Sequence, residues 1–203
     1  MLASIPTELL RSLRLTLVIA AVTGLIYPFA ITGIAQAVFN HGANGSLVTS
    51  NGQVVGSSLI GQQFTSDRYF HGRPSATVNP STGKPEPYAA DNSAGSNLAP
   101  SNQALIDRVK KDVQTVRQQN GLSADQQVPV DLVTSDFSGF DPSITEASAL
   151  LQVNRVAQAR SLDPTTVRAL VENHVHGRIL WIFGEPYVNV LEVNMALDSG
   201  AAG

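Results

Sequence analysis

The stretch that decides the fold is Leu15–Phe39, which reads LTLVIAAVTGLIYPFAITGIAQAVF and carries no charged side chain. As a helix with a rise of about 1.5 Å per residue, these twenty-five residues extend about 37 Å. That length exceeds the roughly 30 Å hydrocarbon core of a bilayer, so we predict one tilted transmembrane helix over residues 15–39. Pro28 removes one backbone hydrogen bond, a loss that membrane helices tolerate.

Two arginines set the predicted orientation of this helix. Arg11 and Arg14 precede the apolar segment, and no Lys or Arg follows it closely. Because Lys and Arg near a membrane helix favour the cytoplasmic side, we expect residues 1–14 in the cytoplasm. Residues 40–203 then form a soluble domain on the outer face of a bacterial inner membrane.

A cleaved signal peptide is the alternative interpretation of the same segment. Ala35-Gln36-Ala37 matches the small-x-small pattern at which signal peptides are cut. Cleavage after Ala37 would release a secreted periplasmic binding or hydrolytic protein. The apolar run is longer than the roughly 7–15 residues of a signal peptide's central region, which favours the anchor.

The anchor contains two pairs of small residues at four-residue spacing, Ala20 with Gly24 and Gly33 with Ala37. Such pairs allow a second membrane helix to approach closely, so they are candidate partner contacts. Small residues are also common in membrane helices that have no such partner, and the spacing alone leaves both interpretations open.

The composition excludes several classes of function. The chain has 203 residues, of which 43% are hydrophobic and 14% charged, with a net charge of -3. Without a basic stripe, nucleic-acid binding is not expected. Cysteine is absent, which excludes disulfides, thiolate metal sites and thiol chemistry. After the anchor, about 160 residues remain, enough for one domain with its own core.

The outer region predicts an α+β domain with about three helices and a mixed or antiparallel sheet. Asn51-Gly52, flanked by apolar pairs, is a two-residue hairpin signal. Helices are predicted over residues 101–120 and 145–160, where apolar side chains recur at helical spacing. A third helix is predicted to begin at Asp163-Pro164 and to carry two histidines in its last turn, because the two residues suit the N-cap and first helical positions.

Extended structure is predicted elsewhere in the domain. Residues 128–134 (VPVDLVT) predict a strand or an extended approach to a turn. Two strands, at residues 179–183 and 188–197, are predicted to close the chain around the turn signal Gly184-Glu185-Pro186.

Motif searches favour a non-catalytic domain. The sequence has neither a G-x-S-x-G nucleophile elbow nor a glycine-rich phosphate-binding motif. His174 and His176 suggest a metal-dependent enzyme, but no ligand set completes the site, and a capping or surface role is preferred. Residues 91–97 form a polar loop that can present amides to an anion, although such loops more often serve only as caps.

The segment 71–100 is the candidate contact surface, because it is rich in Gly, Pro, Ser and Asn and has no helical or strand period. Loops of this length inside a compact domain are usually functional or disordered. Together with the adjoining residues up to 102, it supplies the remaining candidate partner-contact residues, which are Arg73, Ser93, Gly95, Ser96, Asn97 and Asn102.

Six blocks of this sequence resemble the C subunit of the Kdp potassium-transporting P-type ATPase. In chain order they are GSSLIGQQF (56–64), YFHGRPSA (69–76), SAGSNLAPSN (93–102), VPVDLVTSDFSGFDPSIT (128–145), LLQVNRVAQAR (150–160) and GEPYVNVLEVNMALD (184–198). The blocks cover most of the outer region in the family's order, and the single N-terminal anchor is also similar.

The resemblance implies an accessory subunit of a high-affinity potassium uptake complex, with no catalytic residues and no tightly bound cofactor. Its implied partners are a channel-like potassium-binding subunit, a phosphorylating ATPase subunit, a small membrane peptide and the lipid bilayer. The family has been described as a catalytic chaperone that raises the ATP affinity of the ATPase subunit. An outer domain is far from a cytoplasmic ATP site, so an effect on assembly or on the side from which potassium enters fits the predicted orientation better.

Overall fold

The structure is a computed structural model that describes residues 5–200, and it divides into two compact units between Leu47 and Val48. The sequence-based prediction of an N-terminal apolar helix followed by a mixed helix and sheet domain is confirmed. Residues 1–4 of the predicted cytoplasmic segment and residues 201–203 of the predicted outer domain lie outside the described residues.

The first unit is a helical run that is long and apolar enough to cross a membrane. Helix α1 spans Ile5–Ala21, a π-helical turn spans Val22–Ile26, and α2 spans Tyr27–Val38. None of the residues in this run is buried within the protein, as expected for a helix whose solvent is lipid. A short helix, α3 (Asn40–Ala43), follows the run.

The second unit begins with a hairpin and ends with a small sheet. Strands β1 (Leu47–Ser50) and β2 (Gln53–Ser57) pair around the Asn-Gly turn, as predicted. Strand β5 (Tyr187–Asn189) is the centre of an antiparallel three-stranded sheet, between β3 (Ser143–Ile144) and β4 (Val175–His176).

Four helices complete the second unit. They are α4 (Gln103–Gln119), α5 (Glu146–Arg160), α6 (Pro164–Asn173) and α7 (Val190–Asp198). A capping side chain begins each of them: Asn102 for α4, Thr145 for α5, Asp163 for α6 and Asn189 for α7. Helix α4 begins two residues after the predicted start at residue 101, while the predicted start of the third helix at Asp163-Pro164 is correct.

The core lies where α5, α6 and α7 pack together with β5. Its members are buried aliphatic side chains around one aromatic ring: Phe70, Ile144, Ala149, Val153, Val156, Ala157, Val167, Leu170, Val171, Val188, Val190, Val193 and Leu197. Phe70 reaches this core from outside the helices and is fully buried. Helix α4 lies at the edge, because none of its residues is buried.

Two predictions about the extended segments are wrong, and a third is met by the second of its two alternatives. Residues 190–198 form helix α7, because the side chain of Asn189 accepts hydrogen bonds from the amides of Leu191 and Glu192 and thereby begins a helix. Residues 130–132 form a 3-10 turn after the extended residue Pro129, which agrees with the predicted extended approach to a turn and not with a strand. Residues 179–183 form an exposed turn closed by a single bridge, Ile179 with Phe183.

Candidate docking surface and the side chains that hold it

The backbone of Phe70 is held by one buried amide. Asn194 in α7 accepts a hydrogen bond from the Phe70 N–H at 2.8 Å and donates one to the Phe70 carbonyl at 2.9 Å. Its side chain is almost completely buried. Because Phe70 has no strand neighbour, Asn194 supplies both partners that a neighbouring strand would otherwise provide.

The next residue along the chain is held in the same way. Gln152 in α5 accepts a hydrogen bond from the His71 N–H at 2.8 Å and donates one to the His71 carbonyl at 3.1 Å. We call Asn194 and Gln152 together the amide clamp. Two helices thus fix consecutive residues of the block YFHGRPSA, which positions the beginning of segment 71–100.

Arg155 supports the amide clamp from behind. Its Nη2 donates to the Gln152 Oε1 at 2.7 Å, and its Nη1 donates to the Asp67 carbonyl at 2.7 Å. Burial lowers the pKa of Arg155. Burial also lowers the pKa of His71, and the positive charge of Arg155 is the second cause of that shift. Positive charge close to the clamp is therefore unfavourable unless it is paired.

Segment 71–100 is folded down by its own polar groups and Tyr88. The Tyr88 hydroxyl donates to the Arg73 carbonyl at 2.7 Å, and the Tyr88 N–H donates to the Ser75 Oγ at 2.9 Å. Burial raises the pKa of the Tyr88 hydroxyl, with the charges of Asp136 and Asp141 as further causes. Gly72 lets the ring approach, since a Cβ there would lie 2.5 Å from the hydroxyl oxygen.

The block SAGSNLAPSN packs on the turn at residues 135–139. The Ser93 hydroxyl donates to the Ser138 carbonyl at 3.2 Å, and the Ala94 N–H donates to the same carbonyl at 3.1 Å. A Cβ on Gly95 would lie 3.2 Å from the Phe137 backbone, so this glycine allows a close approach. Two of the predicted contact residues, Ser93 and Gly95, therefore have internal packing roles.

The other predicted contact residues are distributed over the unit. Ser96 and Asn97 line a cleft of about 210 Å³. Asn102 accepts a hydrogen bond from the Ala104 N–H at 2.9 Å and serves as a helix cap. In the first unit Ala20, Gly24, Gly33 and Ala37 are exposed on the helical run, and the π-helical turn at residues 22–26 contains Gly24. Arg11 pairs with Glu8 at 2.7 Å.

A larger cleft of about 450 Å³ lies between segment 71–100 and helix α4. Arg73, which pairs with Asp141 at 3.4 Å, and Arg108, which pairs with Asp112 at 3.3 Å, contribute to its lining. Burial raises the pKa of Asp112 despite the nearby arginine. The Nε atoms of both arginines are buried without a hydrogen-bond partner among residues 5–200, while other parts of the two side chains remain partly exposed.

The two histidines once considered as metal ligands have different partners. His174 ends helix α6 and bonds through Nδ1 to the Leu170 carbonyl at 2.7 Å, which agrees with the preferred capping role. His176 lies in β4, outside the predicted helix, where it pairs with Glu192 at 2.8 Å and stacks on Tyr187. Within residues 5–200, no group of three or more His, Asp or Glu side chains is arranged to hold a metal ion.

Two further polar residues were missed by the sequence analysis. Asp131 is buried and accepts hydrogen bonds from the Thr145 N–H at 2.7 Å and the Ser148 hydroxyl at 2.6 Å, at the first turn of α5. A carboxylate there also complements the positive end of the helix dipole. Asn189 caps α7 and donates to the Ser58 carbonyl at 2.8 Å, which connects the block GSSLIGQQF to the sheet.

Comparison with known proteins agrees with the resemblance in these blocks. The family described as "KdpC: K+-transporting ATPase, c chain" matches residues 9–199. The chain is 51% identical over 197 residues to the potassium-transporting ATPase KdpC subunit of Rhodopseudomonas palustris (strain BisB18), covering 95% of this chain and 98% of that protein.

Two other relatives with the same description are nearly as similar. The protein of Methylobacterium nodulans is 52% identical over 199 residues, with 94% of this chain and 98% of the relative covered. The protein of Koribacter versatilis is 46% identical over 192 residues, with 94% of each chain covered. These comparisons give no support to a released binding or hydrolytic protein. The chain belongs to the KdpC family, the c chain of the K+-transporting ATPase, and is a subunit of that complex.

Proposed function

We propose that this chain is an accessory, non-catalytic subunit that assembles and stabilises a high-affinity potassium uptake complex. Its anchor would hold it beside the membrane partners, and its second unit would dock on the side from which potassium enters. The observation that carries this proposal is that the polar side chains of the matched sequence blocks are engaged within the domain itself.

The amide clamp illustrates why these blocks favour docking over catalysis. Both polar ends of Asn194 and Gln152 are bonded to backbone groups, so neither is free to bind a substrate. Asp131 is similarly occupied at the start of α5. Residues that fix backbone in this way specify the shape of a surface, and a fixed surface shape is what a partner protein recognises.

The larger cleft supplies chemistry for such a contact. Arg73 and Arg108 both contribute to its lining, and their side chains remain partly exposed. A carboxylate or carbonyl group from the potassium-binding subunit would complement these guanidinium groups. Bidentate contacts of this kind orient a subunit as well as binding it.

The helical run provides the second part of the proposal. It carries no charged side chain from Leu15 onward, and a Cβ added at Gly24 or Gly33 would meet no neighbour within the unit. These positions leave room for a close helix neighbour, such as the potassium-binding subunit or the small membrane peptide. The π-helical turn adds a residue to one helical turn, so the faces of α2 are rotated relative to a regular continuation of α1.

The proposed orientation assigns the second unit to potassium affinity and assembly instead of direct contact with ATP. Arg11 and Arg14 precede the helical run, which favours a cytoplasmic N-terminus and an outer domain. An influence on the ATP affinity of the ATPase subunit would then be transmitted through the assembled complex.

The test compares the intact chain with one from which residues 40–203 are deleted, both expressed with the other subunits. We expect the anchor alone to reduce co-purification of the complex or to raise the potassium concentration needed for half-maximal ATPase activity. Wild-type assembly together with wild-type potassium dependence would refute the proposal. A change confined to the ATP dependence would instead favour a nucleotide role.

A pair of substitutions sharpens the test without removing the domain. Arg73→Gln with Arg108→Gln removes the two arginine charges from the larger cleft, whereas Arg168→Gln removes an exposed positive charge from α6. We expect the double variant to weaken co-purification about ten-fold or more, the usual range for a desolvated charge at an interface. The Arg168 variant should behave as wild type, and equal behaviour of the two would exclude the cleft as a docking element.

A further inference from the structure

Five successive apolar side chains project from the second unit between β4 and β5. Residues 179–183 read Ile-Leu-Trp-Ile-Phe, and their exposed fractions lie between 62% and 90%, with Trp181 the most exposed. We call these five residues the apolar tip. Single exposed apolar residues are ordinary on a protein surface, but a contiguous group of large ones marks a site of contact.

The backbone of the apolar tip is hydrogen-bonded within itself. The Ile179 N–H donates to the Phe183 carbonyl and the Phe183 N–H to the Ile179 carbonyl, both at 2.9 Å. The N–H groups of Ile182 and Trp181 donate to the Ile179 and Arg178 carbonyls, each at 3.2 Å. A segment with most of its amide donors satisfied internally can leave water at low cost, which is the main requirement for contact with hydrocarbon.

The side chains at the turn of the tip are unusual for its backbone conformation. Leu180 and Trp181 have φ values of 52° and 60°, in the left-handed region. The hairpin between β1 and β2 has φ values of 50° and 77° at its two turn residues, and there the chain uses Asn51 and Gly52. Two-residue turns with these angles favour Asn-Gly, so Leu and Trp bring apolar surface to the apex despite an unfavourable backbone conformation.

Polar groups surround the base of the tip. Arg178 pairs with Glu185 at 2.6 Å, and His176 pairs with Glu192 at 2.8 Å while stacking on Tyr187. The tip thus places a Trp and other apolar side chains beyond a ring of polar side chains, and segments that bind at the membrane–water interface have the same arrangement. Because Arg178 is paired, the attraction is to the apolar part of the interface and does not require anionic lipids.

The length of the chain keeps the tip's domain near a bilayer. The helical run ends at Val38 and the second unit begins at Val48. The nine residues in between extend at most about 30 Å when fully stretched, at roughly 3.4 Å per residue. A domain held this close to the membrane meets a high effective concentration of lipid surface.

We propose that the apolar tip inserts into the interfacial layer of the same bilayer that holds the chain's anchor. A partner protein is a poorer fit, because the tip carries no charge and its side chains offer a single polar group, the indole N–H of Trp181. A protein interface of standard size also needs about 800 Å² per partner, more than five residues at one turn provide. The tip is thus a second, shallow membrane contact that restricts the tilt of the domain.

The protein carries its own probe for this contact, because Trp181 is the only tryptophan in the chain. The full chain is reconstituted in phosphatidylcholine nanodiscs that contain lipids brominated at defined depths. We expect strong quenching of Trp181 fluorescence by shallow bromine atoms, weaker quenching by deep ones, a blue-shifted emission and severalfold protection from iodide.

Two variants serve as controls. Trp181→Phe combined with Phe137→Trp moves the fluorophore to another highly exposed position outside the tip, where we expect access to iodide and no quenching by brominated lipid. Leu180→Asp with Ile182→Asp retains Trp181 but places charges beside it, and should abolish the lipid quenching. Circular dichroism checks that this variant is folded, and the measurement on the unaltered chain does not depend on it.

The assembled complex completes the test. Quenching of Trp181 by brominated lipid, in the chain alone or in the complex, supports the proposal. Protection from iodide only in the complex, without lipid quenching, would overturn it in favour of a protein partner. Free access of iodide in both preparations would overturn it in favour of a solvent-exposed tip.

Discussion

Two irregular regions of the second unit differ in which of their side chains are buried and which are exposed. Segment 71–100 is rich in polar residues, yet polar groups near its beginning turn inward: Ser75 bonds to the Gly139 carbonyl at 2.6 Å, and Thr77 is almost fully buried. The apolar tip consists of large hydrophobic side chains, and they all turn outward. Local hydrophobicity therefore gives the wrong location for the beginning of the polar segment and for the apolar tip.

The difference follows from how each backbone obtains its hydrogen bonds. The start of the polar segment has no strand partner, so buried side chains such as the amide clamp must supply donors and acceptors. The apolar tip bonds its own amides across a tight turn. Its side chains are therefore not required for the fold and are available for contact with another phase or molecule.

The largest expected effect is a loss of stability when a residue of the amide clamp is substituted. Asn194→Ala leaves the N–H and carbonyl of Phe70 buried without partners, which should lower the free energy of unfolding by about 2–4 kcal/mol. This corresponds to a melting temperature reduced by roughly 5–15 °C. Thermal unfolding of the detergent-solubilised chain, followed by circular dichroism, measures the change.

The matched control for this prediction is Asn173→Ala at the end of α6, where the residue is exposed. It should change the melting temperature by no more than about 2 °C, as most surface substitutions do. If the two asparagine variants melt at the same temperature, the amide clamp does not stabilise segment 71–100.

The helices that could be predicted from the sequence are those with both a capping signal and a helical period. Asp163-Pro164 predicted the start of α6 correctly, and the Asn-Gly turn predicted the first hairpin. Residues 188–197 were mistaken for a strand because their apolar residues also fit an alternating pattern. The deciding feature is Asn189, which is the last residue of β5 and also the N-cap that begins α7 at residue 190.

The contacts that shape the docking surface could not be predicted in the same way. Asn194 and Phe70 are 124 positions apart, and no local pattern reports such a pairing. A signal was nevertheless present, because Gln152 and Asn194 are polar residues within otherwise apolar helix faces. Buried amides in such positions require partners, and an irregular backbone nearby is the expected source. The predicted contact residues Ser93 and Gly95 were chosen for polarity and glycine content, properties that here serve internal packing.

A medium effect of opposite sign is expected at the outward-facing region. Leu180→Asn with Trp181→Gly gives the apolar tip the residues that its turn angles favour, and should raise the free energy of unfolding by about 1–2 kcal/mol. Thermal unfolding in detergent measures this gain, while the association of the tip with lipid is lost. If the variant is more stable and binds lipid less, the turn's cost to stability is separated from its contact with the membrane.

The reciprocal exchange at the first hairpin provides the control. Asn51→Leu with Gly52→Trp places bulky side chains at φ values of 50° and 77°, and should lower stability by a similar amount. If neither exchange changes the melting temperature, backbone preference does not distinguish the two turns, and the comparison between them has no energetic basis.

The smallest effect concerns pH and again belongs to the inward-facing region. Burial, with a second contribution from Arg155, lowers the pKa of His71 below its ordinary value of about 6.5. Above that value the ring is neutral in both states and the full stability is present. As the pH falls from about 6.5 toward the lowered pKa, the unfolded chain takes up the proton first, so stability decreases. The decrease is complete below the folded-state pKa.

His71→Gln removes this titration and keeps a polar side chain beside the clamp. Between pH 7.5 and 5.5, the melting temperature of the unaltered chain should fall more steeply than that of the variant, whereas above about pH 7 the two slopes should agree. If the melting temperatures of the two proteins change in parallel over the whole pH range, the pKa of His71 is not lowered in the folded protein. A substitution in the apolar tip should leave the slope of melting temperature against pH unchanged, because the tip contains no group that titrates in this range. If a tip substitution changes this slope as much as His71→Gln does, the pH effect is not specific to the backbone held by the amide clamp.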